Sequence, residues 1–547
     1  MASSSKKYGF KMSLSTGKNH DNGILTLSTY GTAFLVMVQV ISRILTFMVN
    51  QLTLLYMSPK ILGIAAQLEL YSITTLYFSR ESTRASIHRQ PSATFKVATR
   101  VDNDRYEPST IDGGIDPIAS QTVVNISYIS IFLGSVLAVI LAIFYLRVAN
   151  EEASQTPYFR ESVEIIGISC FLELCSEPFF AIVQQLMLYK TRATVETIAS
   201  VAKSVVVCGT YIWASSIGWD AGVLPFALAY LLYSCVLFSG YVFIMARHSS
   251  EGRFSFFLKP ITPGNETRYL ANRFSKHLIS FGASVYFQSI VKHLLTQGDS
   301  MILATVSSLE DQGIYNLVSN YAGLFARVVF QPVEESNRNV FARLLNYNGT
   351  PNFGSRGVET AKAHLVDILQ AYGVFSMLTF SLGPALVPTI LHVLIGSQWK
   401  SSKVDNLLSA YCYYVPFLAF NGITEAFVSS AASALEVRRQ AVWMAAFSAF
   451  FTLVSFLQLR EWGAYGLVWA NILNMALRIV WSYFFIKMYL RQHENDLTIS
   501  EIALNSHTYG ICALTIGIMQ VMHKAPGEEL YDLAKRLFFG AACAILM

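Results

Sequence analysis

Fourteen apolar stretches, each long enough to cross a bilayer, run through the 547 residues of this chain. A hydrocarbon core of about 30 Å takes about 20 residues of helix, and backbone inside it must find its hydrogen bonds within a helix or a closed barrel. The stretches lie near 30–54, 62–79, 122–147, 163–189, 197–217, 221–246, 277–307, 313–337, 365–395, 405–432, 440–459, 462–486, 503–522 and 533–547. They predict an all-α polytopic membrane protein. Composition agrees: 53% of the residues are hydrophobic and 14% charged, against about 25% charged in soluble domains. The first 29 residues are polar and Lys-rich and lack the apolar core and small-residue cleavage site of a signal peptide. The first helix is therefore expected to act as an uncleaved anchor.

A formal charge of +5 is too small to indicate nucleic acid, but its distribution orients the chain. With the loops numbered by the helices they follow, the N-terminus and the even-numbered loops hold 26 of the 40 Lys and Arg residues. The positive-inside rule then puts both termini in the cytosol. Arg43, Lys203, Lys292, Arg327 and Arg478 lie inside helices. The sequons at Asn125, Asn265 and Asn348 fall in or beside loops of the cytosolic side, where no glycosyl transfer occurs, so all three are expected to be unmodified. All seven cysteines (Cys170, Cys175, Cys208, Cys235, Cys412, Cys512, Cys543) lie in apolar segments without a CxxC or Cys/His metal pattern. They read as small buried apolar residues, and no metal or cofactor is expected.

Self-similarity divides the chain. Gln39, Arg43, Thr46 and Asn50 form one polar stripe on helix 1, and Gln288, Lys292, Thr296 and Asp299 form nearly the same stripe on helix 7. An offset of 249 carries Gln39 onto Gln288 and Arg43 onto Lys292, and an offset of 250 carries Ser58 onto Ser308, Gly63-Ile64 onto Gly313-Ile314 and Tyr71 onto Tyr321. Farther on, an offset of 248 carries Glu177 onto Glu425 and Lys190 onto Arg438. Six helices separate the repeats, so both halves enter the membrane in the same direction and a pseudo-twofold axis along the membrane normal should relate them. The expected organisation is a polar cytosolic N-terminus (1–29), an N-lobe of helices 1–6 (30–246), a basic cytosolic linker (247–276), a C-lobe of helices 7–12 (277–487) and two trailing helices (488–547). A central cavity between the lobes follows.

The polar stripes point to the lining of that cavity. A charge on a lipid-facing helix costs roughly 3 kcal/mol or more, so intramembrane ionisable residues face protein or water. Helix 7 is interrupted by His277, Lys292, His293 and Asp299, and helix 8 carries Asn316, Asn320, Arg327 and Gln331. With Arg43 and Arg80, these residues gather cations near the inter-lobe space, the chemistry an anionic substrate needs. The candidate headgroup site is Arg43, Arg80, Lys292 and Arg327, with Gln39, Gln288 and Asn320. Glu81 and Arg84 beside Arg80, His293 and Asp299 on helix 7, and Glu334, Glu335 and Arg338 at the end of helix 8 are candidates for gating ion pairs that break and re-form as the lobes rock. Glu177 and Glu425 are carboxylates inside helices. Titration, cation binding and simple pairing with a neighbouring Arg are all open to them.

There is no GxxxxGK[ST], HExxH or GxSxG, so no P-loop hydrolysis, zinc-protease or serine-hydrolase chemistry is expected. A polytopic glycosyltransferase would need acidic residues on lumenal loops, for which Glu151-Glu152 and Glu528-Glu529 are the candidates, although a solvated loop face accounts for both. No catalytic residue is assigned. An ion-coupled small-molecule antiporter, using Glu177, Asp299 or Glu425, is a further reading.

The segments Phe78-Ser-Arg-Glu-Ser82, Ser176-Glu-Pro-Phe-Phe180, His293-Leu-Leu-Thr-Gln-Gly-Asp299, Gln312-Gly-Ile-Tyr315, Asn320-Tyr-Ala-Gly-Leu324, Glu334-Glu-Ser336, Ile395-Gly-Ser-Gln-Trp399 and Asn421-Gly-Ile-Thr-Glu-Ala-Phe427 occur in this order. Together they resemble the eukaryotic Rft family, over essentially the whole chain from about residue 30. The resemblance implies the two-lobed fold of the multidrug and lipid-linked oligosaccharide exporters. It also implies residence in the endoplasmic-reticulum membrane and a part in moving dolichyl-pyrophosphate oligomannose to the lumenal leaflet for N-glycosylation. A non-transporting role in the same pathway is compatible with it. The first 29 residues and the 85–120 loop look variable relative to the family.

Overall fold

A computed structural model describes residues 46–87, 98–101, 105–108, 117–186, 188–252, 254–261, 269–345, 351–395, 397–523, 535 and 537–542. The chain is helical nearly throughout, and each of the fourteen apolar stretches contains helix. The first half holds α1 (46–54), α2 (Pro59–Ile87), α3 (Pro117–Val148), the single turn α4 (Glu151–Ser154), α5 (Phe159–Cys175), α6 (Glu177–Gln185), α7 (Tyr189–Ile217) and α8 (Leu224–Gly252). The second holds α9 (Lys276–Val306), α10 (Leu309–Phe325), α11 (Gln331–Leu345), α12 (Pro351–Leu394), α13 (Ser402–Ala431), α14 (Ala434–Trp462) and α15 (Ala464–Gln492), then α16 (Ile499–Ile502), α17 (Ser506–His523) and α18 (537–542). Two small antiparallel hairpins that the apolar pattern does not announce pair Ala98–Val101 with Arg105–Pro108 and Tyr269–Leu270 with Phe274–Ser275.

Local sequence sets the helix ends. Pro178 sits in the first turn of α6, where a missing N–H costs nothing, and divides one membrane crossing into α5 and α6. Ser58 and Ser308, superposed by the repeat, do the same work: the Ser58 hydroxyl accepts from the Ile61 amide at 3.4 Å and the Ser308 hydroxyl from the Asp311 amide at 3.1 Å. Each thereby satisfies an otherwise orphan donor at the head of α2 or α10. Helix 8 of the sequence is longer than its apolar core. It runs as α10, a single π turn over Ala326–Phe330, and α11. Pro332 lacks the N–H that would return to Val328, and the wider turn absorbs that gap. α12, at 44 residues, measures about 66 Å at 1.5 Å per residue, twice what a bilayer needs, because its polar first part carries the helix beyond the apolar stretch.

Eight helical spans among the described residues are long and apolar enough to cross a membrane: α2, α3, α5 with α6, α7, α8, α12, α14 and α15. In the first lobe α5 and α7 pack on α8, and α2 and α5 pack on α3. In the second, α13 packs against α11, α12 and α15, α14 lies on α15, and α17 lies on α12. α9 and α10, which are not among those spans, face the first lobe, both against α2.

The linker is fastened to the first lobe. Gln121 and Asn125, one turn apart on α3, bond its backbone: Gln121 Nε2 donates to Phe257 at 3.0 Å and accepts at Oε1 from the Ser255 amide at 2.9 Å. Asn125 Nδ2 donates to the carbonyls of Lys259 (2.7 Å) and Arg273 (2.9 Å), and its Oδ1 accepts from the Lys259 amide at 3.2 Å. Asn125 is wholly buried, so this sequon's carboxamide is committed to the fold. Asn265 and Asn348 lie outside the described residues. Cys170, Cys208, Cys412 and Cys512 are buried, as expected, but Cys175 is only partly covered and Cys235 is exposed; Cys543 lies outside the described residues.

Candidate functional site

The seam between the lobes is built on α2. At the end that carries the α1–α2 turn, α2 crosses α10 with backbone against backbone. A Cβ added to Gly63 would stand 1.9 Å from the carbonyl oxygen of Leu309, and one added to Gly313 would stand 1.8 Å from that of Pro59. The contact is reciprocal at the repeat spacing, since Pro59 is to Leu309 as Gly63 is to Gly313. Beside it Gln67 Nε2 donates to Gln312 Oε1 at 2.6 Å. Toward the linker end, Thr74, Tyr77, Phe78 and Glu81 form one stripe of α2 facing α9. Thr74 Oγ1 and His293 Nε2 are 3.1 Å apart, the His293 ring stacks on Tyr77 at 4.8 Å, and Phe78 lies at the same distance. Lys292 Nζ donates to Glu81 Oε1 at 2.8 Å. Ser86 donates to the Leu278 carbonyl at 3.2 Å. On the other flank Tyr321 bonds Gln51 of α1 through its hydroxyl and stands edge-on to Phe47.

The predicted cations fall into three groups. Gln39 and Arg43 lie outside the described residues. Arg80 and Arg84 turn into the first lobe: Arg80 Nη1 is 2.6 Å from Glu173 Oε1 and 3.7 Å from Glu177, and Arg84 forks onto Glu177 at 2.5 and 3.1 Å, its guanidinium 3.9 Å over the Phe180 ring. Lys292 remains at the seam, and Arg327 lies on the π turn that follows the seam helix α10. Lys292 keeps 62% of its side chain exposed despite its bond to Glu81, and Gln288, a turn earlier, is exposed as well. Arg327 is exposed on the π turn and has no carboxylate partner among the described residues. Asn320, two turns before it, is exposed and bonds Asn316 at 3.1 Å.

The predicted gating residues separate similarly. Glu81 alone makes a cross-lobe ion pair among the described residues. Glu334 pairs with Arg338 one turn along the same helix at 2.7 Å, and Glu335 accepts from Gln331 at 3.0 Å. Asp299 accepts from the Tyr315 hydroxyl at 3.1 Å, tying α9 to α10. Glu177 and Glu425, matched by the repeat, both end in ion pairs, Glu177 with Arg84 and Glu425 with Arg478 at 2.9 Å. Lys203 stands 3.4 Å over the Tyr230 ring. Outside the membrane-spanning segments, at the start of α13, the Asp311 carboxylate 3.1 Å away holds the Lys403 ammonium above the ordinary lysine range. Glu173 and Gln67 escape motif reading, and Gln312 enters it only within the Gln312-Gly-Ile-Tyr315 segment. Glu173 leaves one signal, its place four residues before Glu177 opposite an Arg80/Arg84 pair of the same spacing. Among the described residues no cluster of three or more His, Cys, Asp or Glu could hold a metal ion.

Two helical lobes meeting across a polar seam define a polytopic membrane protein of the fold seen in a lipid flippase and a multidrug transporter. The solved structures agree: the lipid II flippase MurJ in an inward closed conformation matches with a TM-score of 0.57 at 11% identity, covering 94% of this chain and 97% of that one. An inward-facing multidrug resistance MATE family transporter matches with 0.54 at 13% identity, covering 82% and 95%. Within that class the chain belongs to the Rft family, whose "Rft protein" profile matches residues 27–547. Relatives named Man(5)GlcNAc(2)-PP-dolichol translocation protein RFT1 are 33% identical in Saccharomyces cerevisiae (86% of this chain, 85% of the relative), 31% in Yarrowia lipolytica (89% and 74%) and 28% in Mus musculus (89% and 86%).

Proposed function

We propose that this chain translocates dolichyl-pyrophosphate oligomannose from the cytosolic to the lumenal leaflet of the endoplasmic reticulum, for N-glycosylation, by ATP-independent alternating access. The relatives' names supply the substrate class. The observation that carries the reading here is the exposed Arg327 on the π turn that follows seam helix α10, without a carboxylate partner among the described residues, together with the largely exposed Lys292 on α9. Drawing a pyrophosphate and a glycan through hydrocarbon would cost tens of kcal/mol; a polar seam with cations to spare removes much of that while the polyprenyl tail stays in lipid. The headgroup site comprises Arg43, Arg80, Lys292 and Arg327 with Gln39, Gln288 and Asn320. Arg327 meets the phosphates first, and Lys292 joins when phosphate displaces Glu81. Arg80 contributes through its field, since Glu173 holds its guanidinium. The termini are cytosolic, so the α1–α2 end of the seam is lumenal, and the lobes comprise 30–246 and 277–487 with the linker between them. Lumenal sugar extension and transfer consume the product and make the flow downhill.

Reconstitution into liposomes with the lipid tests this. The purified protein should abolish leaflet protection of the headgroup over time, and Arg327→Ala and the Arg43→Ala, Lys292→Ala pair should each slow it about tenfold or more, the size of a lost charged hydrogen bond. Folded protein that moves no more lipid than protein-free liposomes overturns the reading.

A further inference from the structure

The loop between α12 and α13 reaches across the seam to a helix more than 340 residues earlier in the chain. Gln398 Nε2 donates to the carbonyls of Leu54 and Met57, both at 2.9 Å, and Trp399 Nε1 donates to the Leu54 carbonyl at 3.0 Å. These carbonyls belong to the last turn of α1 and the turn after it, where no following helix residue can satisfy them; within its own segment Leu54 accepts only a 3.5 Å bond from the Met57 amide. Trp399 is wholly buried and Gln398 is exposed.

Capping does not by itself require such a reach. At the matching end of α9, the Ser307 carbonyl is bonded from within its own lobe, by Gln312 Nε2 at 2.9 Å. At the places in the first half that the repeat sets against Gln398 and Trp399 stand Val148-Ala-Asn-Glu151, whose side chains make no bond to the second lobe among the described residues. Among the described residues, bonds from a helix-connecting loop onto the other lobe's helix end are therefore seen for the second half and not for the first. They sit at the same end as the Gly63–Gly313 crossing and the Gln67–Gln312 bond. The bonds at the linker end join the lobes by a different route. There Glu81, Thr74 and Ser86 hold α9, whose first residue follows directly on a linker already fastened to the first lobe.

We propose that Gln398 and Trp399 are the latch that holds the α1–α2 end of the seam shut, positioning the lobes for uptake at the opposite end, and that their bonds to α1 part each time the headgroup leaves. What passes the latch rests on the translocation reading; the latch itself does not. Side-chain donors onto the backbone of the other lobe hold only while the lobes keep register, so rocking breaks all three bonds together.

Leu309, 1% exposed at this end of the seam, reports opening once it is changed to cysteine. Labelling of Leu309→Cys by a membrane-impermeant maleimide is followed in proteoliposomes above the labelling of the chain's own cysteines, with and without Gln398→Leu and Gln398→Leu/Trp399→Phe. Labelling from the α1–α2 side should quicken roughly thirtyfold in Gln398→Leu, as two lost hydrogen bonds of ordinary net strength imply, and further in the double variant. Trp399→His, which keeps a ring N–H, should stay closer to the parent than Trp399→Phe. Rates equal to the parent's in variants of unchanged thermal stability overturn the latch. Gln398→Leu, at an exposed position, decides the matter if the double variant does not fold. A parent that moves no lipid while these rates shift as stated sinks the translocation reading and leaves the latch standing.

Discussion

Glu173 on α5 and Glu177 on α6 meet Arg80 and Arg84 in matching steps of four because α2 and the crossing made of α5 and α6 run in the same direction, with both pairs 93 residues apart. Glu173 was not legible in the sequence, but Arg80, Arg84 and Glu177 were, as charges inside or beside helices. Their partners were not, because pairing depends on the register of two helices that no local pattern encodes, and Arg80 and Arg84 therefore read as candidates for ligand or gate. Glu177 is 2% exposed. Glu177→Gln leaves the Arg84 guanidinium without its fork and should cost about 3–5 kcal/mol, whereas Arg84→Met with Glu177→Leu should recover most of that, because breaking a buried pair costs more than replacing it. Glu164→Gln, which removes the exposed partner of Arg160, should change stability by less than about 1 kcal/mol. Thermal unfolding in one detergent, read for the four chains side by side, checks the order.

At the level of helices, α2 and α10 carry the fold's internal symmetry. Ser58 and Ser308 cap them alike, and Gly63 and Gly313 let them touch. The sequence showed both pairs as repeats at one offset, so the symmetry was legible; that the repeated glycines meet each other was not, because an offset relates positions without saying which face each turns to its partner. Gly63→Ala and Gly313→Ala force a methyl group against a carbonyl and should each destabilise by about 1–3 kcal/mol, the usual range for overpacking. Gly209→Ala, in open space on α7, should instead stabilise by about 0.5–1 kcal/mol through the helix preference for alanine. Opposite signs in unfolding midpoints are the expected result, and a neutral Gly313→Ala would mean that the crossing is looser than described. The apolar pattern placed the helices but shortened α10 with α11, and α12, because hydropathy marks only the part of a helix that lies in lipid.

Across the whole molecule, the two lobes are joined covalently by a linker that belongs mechanically to the first. Asn125→Ala removes three bonds to that linker, and hydrogen exchange should quicken at 254–261 and 269–275 while α13 and α15 stay as they were. The architecture was legible from the sequence because repeats and polar stripes are periodic; the seam's closure was not, since Gln398, Trp399 and Leu54 are brought together only by the meeting of the halves. That meeting has a wider meaning. Pro59 against Gly313 and Leu309 against Gly63 is a contact in which each side offers the other the same patch, the arrangement two copies of one subunit make about a twofold axis. The seam thus has the geometry of a homodimer interface written into a single polypeptide, with duplication and fusion of a six-helix ancestor as its natural origin. Two separately expressed fragments, cut within 262–268, should still find one another through it.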